Sequence, residues 1–561
     1  MKIMPLWGSF PLIARIGIWL SGAGTRRQHL SAPRPDSLPQ VSVGTAARDL
    51  QRPSAVGIAA HLRALQNPTV AAVAALTVLA AVLRFAAIGH QGFWFDEANT
   101  ANDVHFSPGA MFGLLPQNET TPPLFYAVAW VWARVFGFGE VSLRALPALA
   151  GVATVPIVYL SARKLISSRA GLVAAALTAC NPFLIWYSQE FRPYEPLVLL
   201  SALGLLAVAY ALEQRSTRAI VAWAIASALA IATHYYALLT VVPEAVWLLY
   251  SYRADRRVIG AIAFVGACGL ALLPLAISQN STGNASWIAP IPLLPRLGQI
   301  LPQFLTGFQT PAEQLLQRTA EVVALLALVL LAARADAGER RGALIAGKLV
   351  LAGFVLNLLL IVGGVDDLIT RNMLALWPLA VVLVAGGLGA RRAGALGVGA
   401  TVLLCAIGVF ATVAVATGRS FQRPDWRGVA RVLGARPSTG PTPRMILVQR
   451  YRNLLPLSLY LPHLRFEGAA GTRVSEFDVV SISSPRVHLC WWGAACNLSG
   501  SRIQSSYAIP GFHVLWRRQA YQFTIMRLVA EHPVLVTPAA VARALMTTPF
   551  RRDELLIQRP S

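Results

Sequence analysis

Apolar residues run through this chain in long blocks, separated by short polar stretches in which arginine recurs. The blocks 170–186, 197–212 and 344–362 carry almost no charge, and roughly 17–25 apolar residues is what crosses the hydrocarbon of a bilayer as a helix. Counting from Pro68 gives about eleven spans, at 68–88, 141–163, 170–188, 195–212, 218–234, 237–252, 257–277, 319–333, 345–363, 372–389 and 393–416. The stretch 122–137 is apolar and Trp-rich but about 16 residues long, short for a span, and is expected to lie obliquely at the membrane surface. After Thr417 the blocks stop. Met445–Val448, Phe477–Ile482 and Phe512–Trp516 look like short strands, and Trp426–Leu433 looks like a helix.

The expected fold is therefore a polytopic α-helical membrane protein with a small C-terminal α/β domain. Residues 1–67 read as a disordered or signal-like segment, 68–416 as the transmembrane domain and 417–561 as a soluble domain. Charge sets the sides. Arg163, Lys164 and Arg169, then Arg215 and Arg218, Arg253, Arg256 and Arg257, Arg334, Arg340, Arg341 and Lys348, and Arg391 and Arg392 all fall on one face, which is cytoplasmic by the positive-inside bias. The loop 89–122, free of Lys and Arg, falls on the other face with the turn 188–194, the loops 278–318 and 363–371, and the C-terminal domain. The protein is thus expected to be integral to the plasma (inner) membrane.

Composition agrees. Of 561 residues 55% are hydrophobic and 13% charged, about half the charge of a soluble domain. The net charge of +23 does not imply nucleic acid, because the arginines lie between apolar blocks and not in one patch. Cys180, Cys268 and Cys405 sit within apolar blocks, while Cys490 and Cys496 would suit a disulfide in an oxidising compartment. No Walker-type phosphate loop or zinc-ligand spacing occurs.

Candidate chemistry gathers on the outer face. Asp96 and Glu97, in Phe93-Trp-Phe-Asp-Glu, follow the first span, where ionisable groups are costly and mostly functional. Such a carboxylate can be a general base, and the pair suits a divalent-metal ligand equally. Glu119 stands before Pro122-Pro123, a helix-start signal in its own right. Tyr187, Glu190, Arg192 and Tyr194 crowd one turn, and His234 and Tyr235 end another span. Tyrosine and arginine there suit a sugar and a phosphate, although a self-paired turn explains Glu190 and Arg192 as well. Arg371 can hold an anionic lipid phosphate or can simply snorkel.

In this order these segments resemble the membrane-embedded GT-C glycosyltransferases, especially the bacterial branch related to protein mannosyltransferases and the lipid A aminoarabinose transferase. The resemblance runs from about Arg84 to Leu433. It rests on Asp96-Glu97, Pro122-Pro123-Leu-Phe-Tyr126, Gly139-Glu-Val-Ser-Leu-Arg144, Tyr187-Ser-Gln-Glu-Phe-Arg-Pro-Tyr194, His234-Tyr-Tyr, Thr370-Arg371-Asn and Asp425-Trp-Arg-Gly. It implies a catalytic carboxylate at Asp96 or Glu97, a polyprenyl-phosphate sugar donor and inversion at the anomeric carbon. It also implies substrate contacts from Glu119, Tyr187, Glu190, Arg192, Tyr194, His234 and Tyr235. Thr120-Thr121 stands where the family commonly has His or a basic residue, which moves phosphate binding to Arg371 and Arg192, with Arg84 as a further candidate. The acceptor is a cell-envelope glycan, lipid or protein, and membrane lipids are the other partners. A transporter or flippase of a lipid-linked sugar is the competing class.

Overall fold

The computed structural model describes residues 67–253, 255–308, 310–448, 454–482, 509–520, 523–545 and 554–560. The expectations for the N-terminal segment before Asn67 and for a Cys490–Cys496 disulfide lie outside the described residues.

Eight of the described helices are long and apolar enough to cross a membrane, from Pro68–Phe85 to Arg391–Thr417, or nine if one bent pair counts as a span. The protein is a multi-pass membrane protein. The bent pair, Ser168–Cys180 and Pro182–Ser188, turns by 56° within the block expected as one span. Its cause is Asn181-Pro182. Proline has no N–H to continue the first helix, and Asn181 starts the second by accepting a hydrogen bond from Leu184 N at 2.9 Å. The blocks read as 218–234 and 237–252 form shorter helices, Thr217–Thr233 of 17 residues and Leu238–Ser251 of 14. The double proline opens the helix Leu124–Phe136, which Gly137 ends at φ 92°, a left-handed backbone that favours glycine. Trp132 Nε1 then donates to Ser142 O at 2.7 Å, tying this short helix to the span Glu140–Leu165.

The basic loops meet at one end of the bundle. Lys164 pairs with Glu213 at 2.7 Å, and Arg169 Nη1 donates to Arg391 O at 3.2 Å. The loop 89–122, the turn 188–194 and the segment 366–371 meet at the other end, with the C-terminal domain.

That domain is a six-stranded sheet of order β2-β6-β1-β3-β5-β4. Its strands are β1 Arg444–Val448, β2 Leu464–Phe466, β3 Thr472–Ile482, β4 His513–Ala520, β5 Phe523–Val536 and β6 Glu554–Gln558. β1 and β3 run parallel and the other pairs antiparallel. Inside it Arg444 and Arg527 pair with Glu476 and Asp478, with Arg527 Nε 2.8 Å from Asp478 Oδ1. The helix Trp426–Leu433 lies where the sequence put it, its Asp425 accepting from Gly428 N at 2.8 Å. The domain is latched to the bundle by Tyr460, whose hydroxyl accepts from Phe93 N at 2.7 Å and donates to Glu140, and by Arg427, which also pairs with Glu140.

Candidate active site

The helix Phe95–Asp103 begins immediately after Trp94, with Asp96 and Glu97 in its first turn, where a helix dipole favours negative charge. Adjacent helical residues point about 100° apart, so one carboxylate can turn inward while the other faces out. Glu97 turns in. Its Oε1 and Oε2 accept from Arg144 Nε and Nη2 at 2.7 and 2.6 Å, and Oε1 also accepts from Phe191 N at 2.9 Å. Burial pushes its carboxyl up, but the Arg144 guanidinium outweighs this and holds it below the ordinary carboxylate range. Asp96 faces out, and its Oδ2 accepts from Arg371 Nη1 at 2.8 Å across 275 residues of sequence.

Among the described residues, four such pairs hold the carboxylates of the loop 89–122 and the turn 188–194. Arg144–Glu97, Arg192–Glu119 and Arg423–Glu190 are at most 6% exposed on either side chain. Arg371–Asp96 is 20% and 22% exposed. Glu119 accepts from Arg192 through both oxygens at 2.9 Å, with Thr100 bridging them, and Asn99 adds a third donor. Glu190 Oε2 accepts from Arg423 Nη2 at 3.0 Å. Burial pushes the Glu190 carboxyl up to about 7 against the pull of Arg423, and Glu97 and Asp96 add to the rise. Beside Glu119, burial and that neighbouring carboxylate push Asp103 up to about 7, and its Oδ2 has no hydrogen-bond partner.

Two of the candidate residues are fully engaged by neighbours. Glu97 is no free base, because both its oxygens are spent on Arg144 and the Phe191 amide. Arg84 does not present itself to a donor phosphate. It is fully buried, donating to Ser188 Oγ at 3.0 Å and to the carbonyls of Ala179 and Thr178, with Glu195 3.9 Å away. Gly151 makes room for this cluster, since a Cβ there would run into Ser188 and Arg84. Glu119 and Arg192 likewise turn their charges on each other, and Glu190 turns its charge on Arg423. Thr121, just before the double proline, is occupied with the Tyr126 hydroxyl at 2.7 Å.

Around Arg371 the wall is aromatic. Its guanidinium carbon lies 5.7 Å from the Tyr194 ring centre and 5.9 Å from that of Trp287. Tyr194 packs edge-on against Tyr187 at 4.8 Å and lies tilted against His234 at 5.5 Å. Tyr235 stands apart, donating to Gln279 Oε1 at 2.8 Å. Among the described residues no three His, Cys, Asp or Glu side chains come together as a metal-holding group. Arg144 and Arg423 carry two of the four pairs and were not singled out as site residues from sequence. The signal available was arithmetic: on a face poor in Lys, each buried carboxylate needs an arginine.

Residues 120–278 match the family model of dolichyl-phosphate-mannose-protein mannosyltransferase. The chain is similar in structure to the apo crystal structure of ArnT from Cupriavidus metallidurans, with a TM-score of 0.52, at 16% identity over 81% of this chain and 97% of that one. The fold is that of the GT-C glycosyltransferases. The undecaprenyl-phosphate-bound form of the same ArnT aligns at 15% identity over the same shares, TM-score 0.49. The Saccharomyces cerevisiae Pmt1–Pmt2 protein O-mannosyltransferase complex bound to the sugar donor aligns with 39% of this chain and 36% of its own, at 19% identity and TM-score 0.31. No curated protein sequence matches.

Proposed function

We propose that this protein is a GT-C glycosyltransferase that moves a sugar from a polyprenyl-phosphate donor to an acceptor hydroxyl on the extracytoplasmic face. The observation that carries the reading is the open Asp96–Arg371 pair, framed by three closed pairs that fix its position. The lipid-phosphate donor of the matched family model supports the donor class. The gathering of the basic loops at the opposite end supports the side.

The lipid phosphate of the donor takes Arg371 from Asp96, since a guanidinium binds phosphate through paired N–H groups. Asp96, released, accepts the proton of the acceptor hydroxyl as that oxygen attacks the anomeric carbon. The new C–O bond forms as the bond to the phosphate oxygen breaks, and the electron pair leaves with the polyprenyl phosphate. Attack opposite the leaving group inverts the centre. Arg371 stabilises the departing charge, and no general acid is required because phosphate is a good leaving group. Tyr194 and Trp287 offer faces beside Arg371 for the sugar. No step is routed through a metal, and a divalent ion at Asp96 would have to displace Arg371.

The test is transfer of radiolabelled sugar from a panel of polyprenyl-phosphate donors in membranes bearing wild type or Asp96→Asn. Label reaching an acceptor only with wild type supports the reading. Equal transfer by both proteins sinks the assignment of Asp96, and lipid that crosses the bilayer with no transfer makes the protein a flippase.

A further inference from the structure

Arginines 419, 423, 427 and 431 recur every fourth residue through the junction where the last span ends, at Thr417, and the sheet domain begins. They form one wall of a cavity of about 290 Å³ whose opposite wall is the turn 89–92. Two of them are anchored, Arg423 on Glu190 and Arg427 on Glu140 and the carbonyls of Gly89 and His90. Arg423 also donates to Gln189 O and Trp186 O, at 3.0 and 3.3 Å, yet it is 5% exposed and its Nε has no hydrogen-bond partner. Arg431 is exposed and makes no hydrogen bond or ion pair with any described residue. Four guanidiniums meet three carboxylates here, Glu140, Glu190 and the helix-capping Asp425, so the balance stays positive. The volume is at the low end for a ligand pocket and suits a headgroup better than a whole lipid.

We propose that this pocket seats the phosphate of an anionic phospholipid from the leaflet bordering this end of the bundle. Arginine forks match phosphate geometry, and a basic cluster next to a span draws anionic headgroups from the adjoining leaflet. The wall arginines belong to the junction and the turn 89–92 to the bundle, so a seated phosphate clamps the two together. The site is separate from the donor phosphate at Arg371 and does not depend on the transferase reading.

The experiment measures retention of short-chain phosphatidylglycerol and phosphatidylcholine by the full-length protein, using native mass spectrometry. The expected result is preferential phosphatidylglycerol binding that falls about tenfold in Arg431→Gln and further in Arg431→Glu, while Asp96→Asn binds as wild type. Both arginine variants alter an exposed side chain, so folding is not at stake. Equal retention of the two lipids, or no change in Arg431→Glu, overturns the proposal. Competition by millimolar inorganic phosphate as effective as by phosphatidylglycerol overturns the lipid assignment in favour of a free anion.

Discussion

Replacing Glu97 with Gln and, separately, Asp96 with Asn removes the same unit of charge from neighbouring residues, yet the two changes should fail in different ways. Glu97 accepts two hydrogen bonds from Arg144 and one from Phe191 N, with both ion-pair partners at most 1% exposed. The amide can keep one acceptor but points N–H groups at a guanidinium left without its counter-ion. Breaking a buried pair in this way costs about 3–5 kcal/mol. The Asp96–Arg371 pair is about one-fifth exposed on each side, and solvent screening reduces its worth to roughly 1 kcal/mol or less. As a general base, however, Asp96 should contribute about 10²–10⁴-fold to transfer. The assay is apparent melting temperature in detergent beside initial transfer rate. Glu97→Gln should lower the melting temperature clearly, whereas Asp96→Asn should melt close to wild type and lose at least about a hundredfold in rate. The division of roles is refuted if Asp96→Asn melts as low as Glu97→Gln, or if Glu97→Gln keeps full stability while losing all transfer.

Arg371→Lys keeps a charge but loses the fork, and should raise the KM for donor about tenfold with a smaller effect on kcat; an unchanged KM removes Arg371 from phosphate binding. Arg84→Ala strands Glu195 in the bundle and should cost about 3–5 kcal/mol, read as a lower melting temperature. A rise in donor KM at wild-type stability would instead restore Arg84 to the donor site. Because Asp103 is raised to about 7, the folded state holds its proton where the unfolded chain has released it. Its contribution to stability is therefore present below the ordinary Asp range and lost as pH rises from about 4 to 7. Asp103→Asn should flatten that decline in melting temperature, and an identical profile in both proteins rejects the assignment.

Blocks of apolar residues and the arginines between them made the bundle and its two ends readable, because membrane insertion obeys length and charge more than detailed packing. Asp96 and Arg371 were readable as candidates, since both stand at span ends on the face opposite the basic loops. That they touch was not readable, because tertiary packing alone joins them. The inward turn of Glu97 was hidden for the same reason: an Asp-Glu pair looks symmetric in one dimension, and only the position of Arg144 separates the two. Arg84, near a span end, reads as a phosphate candidate in one dimension, while the fold sets it against the carbonyls of 178 and 179. The break at Asn181-Pro182 turned a continuous apolar block into two helices through local chemistry that the block length concealed.

The Tyr460 latch sets an order of events in biosynthesis. The loop bearing Asp96 leaves the ribosome early, but the hydroxyl that takes the Phe93 amide is made 367 residues later, in the sheet domain. Glu140, which receives both Tyr460 and Arg427, is likewise left without those partners until the last span has been threaded. A nascent chain therefore carries Asp96 in a loop that is not yet pinned, and the pinning arrives only with the final domain.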